Sequence, residues 1–253
     1  QSLIMQHAED NILSKDGLIN EGEISTRLGL KGIPFLAEKI IVERDLSFLE
    51  EYFCRYHISQ LSSKKTVSVI KKAKSEGKVF TSGVSINNLS LNENDIGDFK
   101  TFLKLSPPLR TEDDRVSLVE GVNDGTIDVI VSDHKPEDEE SKRLTFSQAA
   151  TGASGIETLL PLSLDLYHNK SIKLIKLIGT MTSNPAKILN IDKGSLEKGK
   201  EADLCIVDIN KPWVVNKSLL NSKSKNTPIE NRKMQGLVLK TYVKGEIAFE
   251  RTQ

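Results

Sequence analysis

The apolar positions of the chain change texture near residue 193. Before it, short apolar runs end on polar residues and alternate with stretches of helical period. "SLIMQH" (2–7), "RYHISQ" (55–60), "KVFTSGVSI" (78–86) and "TIDVIVSDH" (126–134) read as strands. "GIPFLAEKIIVERDLSFLEEYF" (32–53), "KKTVSVIKKAKSEG" (64–77), "GIETLLPLSLDLYH" (155–168) and "IKLIKLIGTMTSNPAKILN" (172–190) read as helices. Pro34 suits a first helical turn, and Gly77 suits a helix stop. Strand and helix in alternation predict a parallel sheet in an α/β architecture. From Lys193 onward, "GSLEKGKEADLCIVD", "PWVVN" and "QGLVLKTYVKGEIAFE" predict short strands and turns, a small β-rich domain over 193–253 after an α/β domain over 1–192.

Three of the apolar strands end on a polar residue: His7, Gln60 and Asp133. In an α/β barrel the active site gathers at the carboxyl ends of the strands. Alternation puts Leu3, Met5 and His7 on one face, and Ile127, Val129, Val131 and Asp133 on one face. If Gln60 points inward, so do Tyr56 and Ile58, while His57 points to the outer helices. His57 then replaces residue 60 only across a bulge or a register shift. A histidine and an aspartate at strand ends can hold a divalent metal, and the aspartate can act as general base towards a metal-bound water. A hydrogen-bonded rim without metal accounts for the same residues. His57 reads as a packing residue, His168 as a partner of a helix C-terminus, and His134 as lying one step behind the site. The charged run Lys135–Arg143 reads as a solvated lid edge.

Charge narrows the class. The 35 basic side chains balance the 35 acidic ones, so the chain offers no field for nucleic acid or an anionic membrane. Cys54 and Cys205 are too few and too far apart for a disulfide framework or a thiolate zinc cluster. The length suits one α/β barrel or a domain plus a smaller one. The absence of an initial Met and of a signal peptide, with a start in mid-strand, reads as a piece of a longer cytoplasmic protein.

With these residues placed, the chain resembles the dihydroorotases of the multidomain-like class, within the amidohydrolase superfamily of metal-dependent (β/α)8 barrels. The resemblance rests on "HAED" (7–10), "NEGEISTRLGL" (20–30), "RYHISQLSS" (55–63), "SPPLRTEDDR" (106–115), "GTIDVIVSDH" (125–134), "GASGIETLLPL" (152–162) and "KNTP" (225–228). It implies the C-terminal part of a TIM-type barrel, from the fifth strand onward, followed by part of a small β-sandwich domain. It also implies reversible hydrolysis of dihydroorotate to carbamoyl-aspartate in pyrimidine biosynthesis. On this resemblance His7 matches the strand-five zinc ligand. Asp133 matches the strand-eight residue that is both ligand and general acid/base. Gly152 falls in a loop whose backbone meets the substrate.

The departures carry equal weight. The family's strand-six histidine is here Gln60, a weaker donor to zinc. Its paired histidines are Asn87 and Asn88. Its two contacts to the substrate carboxylate are Ser106 and Glu137, and the latter would repel that group. The four earlier strands, with the remaining ligands, are not in this chain, so it is expected to be inactive alone. Three readings follow: a dihydroorotase with an altered site, a noncatalytic partner that stabilises aspartate transcarbamoylase, and a cyclic amidohydrolase for a ureide or imide lacking the carboxylate. The small-molecule substrate is common to the first and third, and the family's habit of pairing through barrel faces implies a homo-oligomer.

Overall fold

The computed structural model describes residues 2–251. In chain order its elements are β1 (Leu3–Gln6), β2 (Ile19–Asn20), α1 (Glu23–Leu28), β3 (Gly32–Ile33), α2 (Leu36–Glu51), β4 (Arg55–Leu61), α3 (Lys64–Ser75), β5 (Thr81–Ser85) and α4 (Ile86–Ser90). They continue with α5 (Glu112–Asp124), β6 (Val129–Val131), α6 (Glu139–Arg143), α7 (Ile156–His168), α8 (Leu174–Met181), α9 (Ser183–Leu189), β7 (Leu204–Val214), β8 (Lys233–Val243) and β9 (Glu246–Glu250). Strands β1, β4, β5 and β6 form one parallel sheet in that order. Helices α2, α3 and α5 pack side by side as its outer layer. This is the wall of the C-terminal part of a TIM-type barrel.

Local chemistry explains the helix limits. The Ser63 hydroxyl accepts from Lys65 N at 3.1 Å and so caps α3, and Gly77 follows the helix at φ +86°. Thr66, Val67, Ile70 and Ala73 form the buried stripe of α3, at helical spacing. Burying a side chain such as Ile70 contributes about 1.5–3 kcal/mol. At α5, Thr111 and Asp114 form a reciprocal capping box, and Glu112, Asp113 and Asp114 fill the first turn, where the helix dipole favours acids.

Three expectations shift in detail. Pro34 sits two residues ahead of α2 instead of inside its first turn, because residues 32–33 pair with β2 before the helix begins. The predicted helix over 172–190 is two helices, broken at Thr182 (φ −128°, ψ −82°). The strand read over 126–134 is confined to Val129–Val131.

After residue 193 the chain forms a three-stranded antiparallel sheet, β7-β8-β9. Among the described residues there is no second sheet facing it. The sheet docks on α7. A Cβ at Gly236 would lie 2.2 Å from a Leu164 methyl, Arg232 pairs with Asp165 at 3.1 Å, and Met234 is part of the main apolar core.

Candidate active site

The carboxyl ends of β1, β4 and β6 bring His7, Gln60 and Asp133 to one rim. The Gln60 side-chain amide donates to Asp133 Oδ1 at 2.7 Å. Asp133 lies two residues beyond β6 with φ +48°, so its side chain leaves the strand through a left-handed residue and not through plain alternation. Burial pushes its carboxyl above the usual carboxylate range, against the opposing pull of the Gln60 amide, the Lys135 and His7 charges and the Ser85 hydroxyl.

On the other side of the rim, His7 Nε2 lies 3.3 Å from Glu9 Oε2, and Ser106 Oγ lies 3.4 Å from both atoms. Glu9 holds the His7 imidazole above its ordinary pKa, and His7 holds the Glu9 carboxyl below its own. Glu9 was legible in "HAED" only as part of a motif. Its parity with His7 was the available signal.

The expected strand parity of β4 is reversed. The Tyr56 hydroxyl bonds Asp45 of α2, so Tyr56 faces the helix layer, and Ile58 follows it there in full burial. His57 lies on the inner face, with Nδ1 2.8 Å from the Thr81 hydroxyl. A Cβ at Gly83 would meet His57 Nε2 at 3.3 Å and Val129 on the same face. What returns Gln60 to the inner face is a β-bulge. Ile58 pairs with Ser82 but Leu61 pairs with Val84, so three steps of β4 match two of β5. His57 and Gln60 therefore share a face, with His57 deeper and satisfied by Thr81.

The remaining predicted residues fall into place around the rim. His134 Nδ1 accepts from Gly155 N at 3.1 Å and Ile156 N at 3.4 Å, and so caps α7. His168, at the last position of α7, has Nε2 2.9 Å from the Ile209 carbonyl and ties that helix to β7. Gly152, at φ +144°, packs on Lys135, where a Cβ would come within 2.7 Å of the Lys135 carbonyl. Glu137 is held through its main chain, by Asn226 at its N–H and Ser224 at its carbonyl. Asn87 and Asn88 are buried. Asn88 donates to the Pro108 carbonyl at 2.9 Å, and neither amide atom of Asn87 has a partner among the described residues.

Sequence reasoning missed a buried polar network directly behind Gln60. Glu38 accepts from the N–H and hydroxyl of Ser62 and from Ser63 N. Arg110 donates to Ser62 Oγ at 2.7 Å and to Asn20 Oδ1 at 2.8 Å. These bonds join the loops that follow β1, β4 and β5 into one rim. A cavity of about 500 Å³ lined by Asp165, Trp213 and Met234 lies elsewhere, between α7 and the antiparallel sheet.

Residues 12–248 match the model of the amidohydrolase family. The chain belongs to that family. It is 45% identical over 249 residues to a dihydroorotase of Ehrlichia canis (strain Jake), covering 98% of this chain and 56% of that protein. It is 43% identical over 248 residues to a dihydroorotase of Syntrophus aciditrophicus (strain SB), covering 98% and 58%. This amidohydrolase chain thus spans little more than half the length of such relatives. Among solved structures, an L-hydantoinase (dihydropyrimidinase) from Arthrobacter aurescens superposes with a TM-score of 0.87 at 28% identity, over 100% of this chain and 58% of that one. A dihydropyrimidinase from Brevibacillus agri NCHU1002 superposes with a TM-score of 0.86 at 20% identity, over 98% and 57%.

The zinc that the resemblance implies finds few converging donors in this amidohydrolase chain. Four-coordinate zinc needs three or four converging N, S or O donors. Here His7 is engaged by Glu9, and one Asp133 oxygen is engaged by the Gln60 N–H. Among the described residues no three of His, Cys, Asp and Glu converge on one point. The residues present do not by themselves fit a zinc ion. No helix among the described residues is long and apolar enough to cross a membrane.

Proposed function

We propose that the full-length protein is a dihydroorotase-like hydrolase that opens and closes a cyclic amide in pyrimidine synthesis. Its small-molecule site would be built partly on the His7–Gln60–Asp133 rim and weakened towards zinc. The observation that supports this most is the Gln60–Asp133 bond at 2.7 Å, which fixes a partly buried carboxyl at the strand ends. A carboxyl whose pKa is pushed up is suited to take a proton and return it, here from the attacking water to the leaving ring nitrogen. The Gln60 amide orients it. Zinc, where the full-length protein holds it, would need further donors from outside this chain.

Ser106 favours a second reading of the substrate. Ser106 is already engaged by His7 and Glu9, so a ring without a carboxylate suits this rim better than dihydroorotate does. The third reading, a noncatalytic subunit that stabilises aspartate transcarbamoylase, rests on the resemblance alone. A substrate panel on the full-length protein separates these readings. Hydrolysis of dihydroorotate supports the first, and hydrolysis confined to dihydrouracil or hydantoin supports the second. No turnover, with co-purification of the transcarbamoylase, refutes both in favour of the scaffold.

A further inference from the structure

Two buried cations take no part in the rim chemistry described above. Lys104, in the connection between α4 and α5, is 7% exposed, and Lys142, in α6, is 1% exposed. Both ammonium groups turn to main-chain carbonyls of a single segment. Lys104 Nζ donates to the carbonyls of Ser147 at 3.0 Å and Ala149 at 2.8 Å. Lys142 Nζ donates to those of Ala150 at 2.8 Å and Gly152 at 3.0 Å. The main chain adds Gly152 N to the Lys104 carbonyl at 3.0 Å and Ala150 N to the Ser141 carbonyl at 3.1 Å. Asn226 closes the far end, donating to the Gly152 carbonyl at 3.1 Å.

The clamped segment leads straight to the rim. Lys135 N donates to the Ala153 carbonyl at 2.8 Å, and His134 bridges Ala153 in parallel register. Gly152 packs on Lys135 so closely that any side chain would collide with it. Lys135 is two residues from Asp133, and its charge acts on that carboxyl. Position therefore passes from the two ammonium groups through residues 147–153 to Lys135 and the strand end.

We infer that Lys104 and Lys142 are a pair of positioning residues that clamp the 147–152 segment and so set the Gly152 backbone and Lys135 against the rim. The inference rests on the cyclic-amide reading only for its kinetic consequence. Burying two like charges is unfavourable, and four carbonyl acceptors on one short segment offset that cost. Glu137, Lys135 and Lys104 are the charged groups that act on Lys142, and burial together with the two lysines holds its ammonium down at about 8.

The test uses the full-length protein with Lys104→Met and Lys142→Met, which keep the stem and remove the donors. Amide hydrogen exchange should lose protection at Lys135 and across 147–154 while β4 and β5 keep theirs. With a hydrolysed cyclic amide, KM should rise about tenfold while kcat stays within about threefold. Unchanged exchange in that segment overturns the clamp, and so does a fall in kcat at constant KM. If one variant fails to fold, the other carries the same test. Absence of wild-type turnover overturns the cyclic-amide reading instead, and the exchange result then decides the clamp by itself.

Discussion

Gln60 donates its amide N–H to Asp133 Oδ1 at 2.7 Å, joining the carboxyl ends of two strands that are not neighbours in the sheet. A histidine at position 60 could not copy this bond and hold a metal with the same nitrogen. The glutamine is thus a neutral partner for a partly buried carboxyl.

His57 lies on the inner face but below the rim, bonded to Thr81. His57→Ala in the full-length protein is expected to leave metal retention unchanged. Stability should fall by about 1–3 kcal/mol, from the lost packing and the lost His57–Thr81 bond. Metal content and a urea midpoint check both parts. Loss of metal would place His57 in the site.

The bulge in β4 leaves little room across the sheet. A Cβ at Gly83 would lie 2.5 Å from the Ser59 carbonyl, a backbone atom that cannot swing aside. Gly83→Ala should cost about 1–3 kcal/mol, as overpacking does. Thermal unfolding checks it, and a neutral result would contradict the bulged register.

Burial brings the Lys142 ammonium down from 10.5 to about 8. Between those values the unfolded chain keeps a proton that the folded chain has released, so stability rises with pH across that window. The stability of the wild type relative to Lys142→Met should therefore increase from about pH 8 to about pH 10. Denaturant midpoints at the two ends check it. Parallel pH dependence in both proteins would contradict a buried, destabilised ammonium.

Arg110 ties the loop after β4 to β2 and β3 through Ser62, Asn20 and the Ile33 carbonyl. Arg110→Met strands those buried acceptors, at an expected cost of about 1–3 kcal/mol. Thermal or denaturant unfolding of the full-length variant measures it, and a loss under about 1 kcal/mol would show the network to be dispensable.

The sheet and its rim were legible because apolar runs ending in His7, Gln60 and Asp133 carry both period and chemistry. The facing of β4 was not. Alternation assumes an unbroken strand, and no residue type in "RYHISQ" announces a bulge. Nor was Lys142 legible: its run is otherwise exposed and charged, and only the fold carries this one lysine inward to meet the carbonyls of residues 150 and 152. The paired carbonyls that receive it belong to a segment whose path no local pattern encodes.

The most direct test of the rim as a metal-weakened cyclic-amide site is the zinc content of the full-length protein and its Gln60→His variant, measured beside cyclic-amide hydrolysis. The expected result is zinc well below one per chain in the wild type, rising together with turnover when histidine restores an imidazole donor. Full zinc occupancy in the wild type, unchanged by the substitution, would contradict it.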